Sequence, residues 1–356
     1  MSNNFTPWAK KATTSTSTEV KRKPKVSVLD LTNRVGGMDI LFESLKHQSF
    51  QDFELIIVDA LYEYRKEIVA EKAKEYNFTV KHIPPINQTF PVSNYNNSMN
   101  TGILAAEGEV LYFTCDYAIL PPDILQKHYN FHAQTPRNYV LLLPINDCPV
   151  KLEVVSEKFP KDRQYGIRSR KDPVQLCVVP EADYMSAHNE WSDRYAKDLA
   201  DGLLNDVLWT IFEKPYVYNQ DINELADYIT VDNKFNNCSA TEATPAFQDF
   251  CCVKNDSFKL DFLMEANGFD EQMDQTHGYF DTELARRLFR CHNAQFFAMN
   301  SGHVSVINTR WFLQPRKSIR GYKNLDIINQ KYMREQPLTR EIDPDNVIIK
   351  WKEQNK

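Results

Sequence analysis

Glycine is scarce in this sequence, with 10 residues in 356, against a usual share of about 7%. The one adjacent pair is Gly36-Gly37, and neither G-x-G nor G-K-[ST] occurs anywhere. A dinucleotide fingerprint or a Walker A loop needs clustered glycines so that backbone amides can close on a pyrophosphate. Both are excluded, and any phosphate handling falls to side chains or a metal. Long apolar runs are also missing, since nothing approaches the roughly 18 residues of a membrane span. The opening MSNNFTPWAKKATTSTSTEVKRKPK is polar and basic, unlike a secretory leader. Its first 23 or so residues cannot bury enough surface to order themselves, so a disordered tail and a cytoplasmic location are expected. Seven cysteines (Cys115, Cys148, Cys177, Cys238, Cys251, Cys252, Cys291) include no C-x-x-C and read as free buried thiols. There is no excess of positive charge: 42 Lys and Arg face 48 Asp and Glu for a net −6, which weighs against a broad nucleic-acid surface. No G-x-S-x-G and no internal repeat is present.

What the sequence does have is core material, 42% hydrophobic with 21 Phe, 17 Tyr and 5 Trp, enough for one large domain or two ordinary ones. From residue 26 strand-like and helix-like periods alternate. Apolar strands are expected at Val26–Leu31, Phe53–Asp59, Thr79–Ile83, Val110–Thr114 and Tyr139–Leu143. Between them fall helical patterns at Asp39–His47, Tyr62–Tyr76, Asn97–Ala106 and after Pro121-Pro122-Asp123. Strands apolar on both faces and alternating with helices predict a mostly parallel sheet covered by helices. Ligands of such sheets sit beyond the C-terminal strand ends, so Asp30 to Arg34, Asp59 and Asp116 are the polar residues to question. Residues 145–180 read as irregular and charged, with a basic cluster from Lys158 to Lys171, and a helical pattern returns from Ala182 to Glu213. The block Phe258 to Arg290 holds NGFDE and the amphipathic HGYFDTELARRLF, and the chain after Arg316 reads as a charged peripheral helix and arm.

Each candidate residue has a structural and a chemical reading. Asp59 closes an apolar strand, where it either caps the next helix or accepts hydrogen bonds from a base or ribose. Asp116 ends another strand, as a turn residue or as a carboxylate holding a divalent cation against a diphosphate. Asp281 opens a helix whose N-terminus favours its anion, as a cap or a base. His128 and His132 share a helix face at metal-ligand spacing, but without the Glu of H-E-x-x-H a core or solvated pair is the stronger reading. His303 stands alone after FFAM.

The order of these pieces resembles the inverting nucleotide-sugar glycosyltransferases of the GT-A fold, family 2 in particular. VSVLDLTNR is similar to that family's opening strand and donor turn, and FESLKHQSFQDFELIIVD to its second-strand run. NNSMNTGILAAEGEVLYFTCDYAILPPDIL is similar to its Asn-x-Gly and D-x-D segment. ANGFDEQMDQTHGYFDTELARRL resembles an acceptor-side block shared with family 7 galactosyltransferases. The resemblance covers residues 26–133 and 258–303. It implies that Thr32, Asn33 and Arg34 lie near the donor base, that Asp59 binds uracil or ribose, and that Asn100 and Gly102 hold the middle of the donor site. It further implies that Asp281 is a general base and that Asp116 and His303 bind Mn²⁺ or Mg²⁺. The sequence departs from the pattern where D-x-D falls on Cys115-Asp116-Tyr117, where Phe280 replaces the Glu of Glu-Asp, and where Leu31 and Met99 replace Pro and Arg.

The expectation is therefore a GT-A protein moving a hexose from a nucleoside-diphosphate sugar, most simply a UDP-sugar, to an acceptor hydroxyl with inversion. A donor half at 24–144, an irregular and helical insertion at 145–255, an acceptor half at 256–312 and an extension at 313–356 follow the tail. The broken D-x-D keeps open a metal-independent site neutralised by the basic cluster, and a protein that binds nucleotide sugars without turnover. A glycan, a protein side chain and a hydroxylated nucleobase in DNA are all compatible acceptors.

Overall fold

The computed structural model describes residues 23–87, 95–143, 145–159, 193–226, 230–231, 255–275, 280–299 and 304–309. The N-terminal tail, Lys161 to Lys171 of the basic cluster, His303 and the C-terminal extension lie outside the described residues.

Eleven strands are described: β1 (Val26–Thr32), β2 (Phe53–Asp59), β3 (Thr79–Ile83), β4 (Val110–Thr114), β5 (Ala118–Ile119), β6 (Tyr139–Leu142), β7 (Ile145–Pro149), β8 (Thr230–Val231), β9 (Ser257–Lys259), β10 (Gln295–Ala298) and β11 (Val304–Asn308). The helices that matter here are α1 (Met38–Lys46), α2 (Tyr62–Lys72), α3 (Tyr95–Ala105), α4 (Ile124–Gln134), α5 (Leu260–Glu265) and α6 (Phe280–His292). Seven strands form one sheet in the order β10-β6-β9-β4-β1-β2-β3. All its pairs are parallel except those of β9, which runs antiparallel between β4 and β6. This is the mixed α/β architecture, with a largely parallel central sheet, that the alternating periods predict.

Side chains alternate between two covered faces, as pleating requires. On one face Val26, Val28, Leu55, Ile57 and Tyr112 pack with Met38, Leu41, Phe42 and Leu45 of α1 and with α4. On the other, Leu29, Ile56, Val58, Leu111 and Phe113 meet Met99 and Ile103 of α3 and Leu284, Ala285 and Leu288 of α6. Gly102 belongs to this second contact, where a Cβ would stand 2.2 Å from Leu29 Cδ1. Helix and strand approach there at a distance that only glycine allows.

β7 and β8, from the region expected to be irregular or helical, join β5 and β11 in a second sheet, ordered β5-β11-β7-β8. β5 and β8 have two residues each and β7 is largely polar, so alternation gives them little signal. The helical pattern from Ala182 is realised over 193–200 among the described residues. It stops there because Gly202, at φ 76°, turns the chain left-handed, with Leu203 N–H bonded to Asp198 C=O and Gly202 N–H to Leu199 C=O. Leu204, Val207, Leu208 and Ile211 continue burying themselves from turns and a short 3₁₀ helix at Asn205–Val207 rather than from a continued α-helix.

His128 and His132 form a core pair. Both are buried against the Ser257 hydroxyl, at 2.6 Å from His128 Nδ1 and 2.8 Å from His132 Nε2. Burial pushes His132 down to about 4 and also holds His128 well below the usual histidine value. No helix among the described residues is long and apolar enough to cross a membrane.

Candidate functional site

The strand order creates a topological switch point. The chain lays β2 and β3 on one side of β1, then returns to place β4 on the other. In open α/β sheets such a point leaves a crevice beyond the C-terminal strand ends, where ligands bind. Thr32, Asn33 and Arg34 leave the end of β1 here, Asp116 stands two residues beyond β4, and Asp59 is the register partner of Thr32 at the end of β2. The fold thus gathers five of the residues singled out in the sequence.

Thr32 is the centre of their network. Its hydroxyl donates to Asp116 Oδ2 at 2.6 Å and accepts from Arg34 N–H at 3.2 Å and Arg65 Nη2 at 3.2 Å. Arg34 forms an ion pair with Asp116 Oδ1, donates from Nη1 to Thr309 Oγ1 at 3.0 Å, and lies 4.8 Å over the Tyr117 ring. Its side chain keeps 11% of its surface exposed while that of Asp116 keeps none. Asp59 is saturated. Its Oδ1 accepts from Leu61 N–H at 2.7 Å and Arg65 Nη2 at 2.8 Å, and its Oδ2 is bonded by Arg65 Nε and by His82 Nε2 at 2.8 Å. A carboxylate offers about four acceptor positions, so a base or ribose reaches Asp59 only by displacing one of these. Burial raises its carboxyl, but the Arg65 charge and the bonds from His82 and Arg65 outweigh that and leave it below the usual range.

Arg65 and His82 went unnoticed in the sequence because neither sits in a motif. Arg65 lies in a charged helical stretch and His82 in a strand with a polar pattern. Asp30, flagged only as a strand-end polar residue, is fully buried with no hydrogen-bond partner on either oxygen. Burial first, then the neighbouring Asp116 charge, pushes its carboxyl well above the usual range. Protonation of Asp30 leaves two anions, Asp59 and Asp116, facing two cations, Arg34 and Arg65.

The turn leaving β1 is held from the inserted region. Tyr195 O–H donates to Asn33 C=O at 3.2 Å and accepts from Val35 N–H at 3.1 Å, while Tyr117 O–H donates to Val35 C=O at 2.6 Å. Gly36 and Gly37, at φ 70° and 78°, then let the chain pass against the Tyr117 ring, where a Cβ on Gly37 would stand 2.6 Å from ring carbons. The side-chain amide nitrogen of Asn33 is buried without a hydrogen-bond partner among the described residues.

Asn100 ties α3 to the NGFDE turn. Its amide oxygen accepts from Phe269 N–H at 2.8 Å, and its amide nitrogen donates to Phe269 C=O and Glu271 Oε1, both at 2.9 Å. Asp274 completes the tie by accepting the first N–H groups of α3, from Asn96 at 2.7 Å and Asn97 at 2.8 Å. Asp281 is half-buried at the start of α6 and accepts from Thr282 N–H at 2.8 Å. Its charge acts on Asp256, a buried acid whose carboxyl is pushed well up by burial first and by Asp281 after it. Asp256 C=O accepts from Phe113 N–H at 2.9 Å, three residues before Asp116. This chain of neighbours leads from Asp281 to the same end of the sheet.

A divalent cation at Asp116 does not fit the described residues. Each Asp116 oxygen already accepts a hydrogen bond, and its side chain is fully enclosed. The D-x-D pattern's two outer acids are replaced by Cys115, whose thiol is pushed up to about 12 by burial and then by the Asp116 charge, and by Tyr117, whose hydroxyl donates to Val35 C=O, so neither position brings a carboxylate. No group of three His, Cys, Asp or Glu suited to a metal occurs among the described residues.

No family model matches the sequence, and no curated protein matches it. Solved structures do. Residues 1–349 of S. aureus TarS match with 13% identity and a TM-score of 0.45, over 80% of this chain and 60% of that one. The same protein in complex with UDP matches with 14% identity and a TM-score of 0.43, at the same coverage. A mannosyltransferase from Pyrobaculum calidifontis, in complex with GDP-Man and Mn2+, matches with 12% identity and a TM-score of 0.40, over 87% of this chain and 62% of that one. The chain thus spans about three fifths of the length of these structures.

Proposed function

We propose that this protein is a glycosyltransferase that moves a hexose from a nucleoside-diphosphate sugar to an acceptor hydroxyl with inversion. The observation that carries the reading is the meeting of Thr32, Arg34, Asp59 and Asp116 at the switch point of a largely parallel sheet. The ordered motif resemblance gives that crevice a donor, with Asn33 on the same turn and with Asn100 and Gly102 in the helix behind it. Asp281, from the α6 start, serves as general base. The acceptor oxygen forms its bond to the anomeric carbon as the bond from that carbon to the β-phosphate oxygen breaks. The acceptor proton passes to the Asp281 carboxylate, and the bonding pair leaves with the diphosphate. An in-line geometry of base, anomeric carbon and leaving group accounts for inversion.

The test is release of nucleoside diphosphate from a panel of UDP- and GDP-sugars, with glycans, peptides and hydroxylated-base DNA as acceptors. Asp281→Asn should lower turnover by at least about a hundredfold while leaving donor binding within about twofold. Unchanged turnover in that variant removes the base assignment. A second reading, a nucleotide-sugar-binding protein without turnover, is favoured by the filled acceptor positions of Asp59 and by the enclosure of Asp116. Binding of a nucleotide sugar with no product from any acceptor would select it.

A further inference from the structure

The Mn²⁺ or Mg²⁺ expected at Asp116 leaves a chemical question once it fails to fit, because the departing diphosphate gains a negative charge that something must offset. The cation already standing at that position is a side chain. Arg34 is pinned on three sides, by Asp116, Thr309 and the face of Tyr117. A guanidinium has five N–H donors, and two of them are engaged in those contacts. The Arg34 side chain as a whole keeps part of its surface exposed at the switch point, where Thr32 and Asp116 are closed in.

Held this way, the planar fork is oriented before a ligand arrives, which suits bidentate binding of phosphate oxygens better than a mobile lysine would. The pair Arg34–Asp116 works as one unit, with the carboxylate orienting the guanidinium of a partly exposed side chain at the end of β1.

We infer that Arg34 binds the donor diphosphate directly and takes the place of a divalent cation, so that nucleotide-sugar binding and turnover proceed without metal. This rests on the glycosyltransferase reading, and it assigns Asp116 a positioning role. The carbon–oxygen bond to the β-phosphate breaks as before, and the charge arriving on the phosphate oxygens is met by Arg34 N–H groups.

The experiment is calorimetric titration of the full chain with UDP, UMP and uridine, and with GDP, GMP and guanosine, in excess EDTA and again with Mn²⁺. The expected result is diphosphate binding in EDTA that changes by no more than about twofold with Mn²⁺. Arg34→Gln combined with Asp116→Asn, which avoids leaving a buried carboxylate unpaired, should weaken the diphosphate by about 10- to 100-fold while nucleoside affinity stays constant. Arg34→Lys, which keeps the charge but not the fork, should fall between. Diphosphate binding that appears only with Mn²⁺ overturns the inference and leaves the glycosyltransferase reading standing. Wild-type affinity in the double variant overturns it as well. No nucleotide binding in either buffer overturns both.

Discussion

The Asp59–Arg65 pair offers the sharpest test of how the crevice is supported, through Arg65→Met. Both side chains are fully buried, and Arg65 gives Asp59 two of its four hydrogen bonds. It also donates to Thr32 at 3.2 Å and to Leu208 C=O at 3.4 Å, linking β1, β2 and the inserted region. Removing one partner of a buried pair costs about 3–5 kcal/mol, because the other charge stays behind uncompensated. That is a large part of the 5–15 kcal/mol by which a domain is usually stable. Asp59→Asn with Arg65→Met removes both charges and should recover at least about 2 kcal/mol of the loss. The assay is urea unfolding followed by tryptophan fluorescence, completed as a double-mutant cycle.

Acid should change the picture in a defined direction. In the wild type the Asp59 carboxyl lies below its unfolded value of 3.8, so its contribution is full above that value and lost as pH falls through the lower folded one. In Arg65→Met the lone buried carboxylate gains from protonation. The stability gap between the two proteins should therefore narrow as pH falls from 7 toward about 4. Costs that add within about 0.5 kcal/mol, or a gap independent of pH, would refute the reasoning.

Three further outcomes follow from the packing. His132→Gln should grow more stable relative to the wild type as pH falls from 6.5 toward 4, by up to about 3 kcal/mol, because the wild-type imidazole must charge in the core. The raised acids Asp30, Asp39 and Asp256 act in the opposite sense in both proteins, so difference melting curves across pH isolate the histidine. Gly102→Ala should cost about 1–3 kcal/mol by driving a Cβ into Leu29, and Leu29→Ala in the same chain should remove the clash, as an equal cost in both backgrounds would disprove. Asp274→Ala should lose about 1–2 kcal/mol through the uncapped start of α3, read by thermal unfolding; a loss of α5 helicity without α3 exchange would contradict the capping role.

The strands that pack from both faces were legible residue by residue. β2 and β4 begin and end where their apolar runs do, because a buried parallel strand must be apolar on both sides and its polar neighbours mark its ends. β9 was not legible. Its three residues, Ser257, Phe258 and Lys259, carry no period, and only pairing with β4 and β6 makes them a strand. The same limit hid β5 and β8, two residues each. At the crevice, alternation flagged the acids that end strands. It was silent on Arg65 and His82, whose importance comes from the neighbours that sheet pairing gives them.

By itself the sequence determined the alternating architecture, the absence of a glycine phosphate cradle, and the set of polar residues at the strand ends. Those follow from local chemistry: periodicity, backbone freedom and the desolvation cost of polar groups along an apolar strand. Only the tertiary structure decided what the carboxylates are bonded to. Asp59 is filled by Arg65 and His82, Asp116 is bonded by Thr32 and Arg34, and Asp30 has no hydrogen-bond partner among the described residues. The charge state and availability of a buried acid depend on groups within a few ångströms, and here those groups are brought together across 6 to 84 positions of sequence by the pairing of strands and the docking of α2.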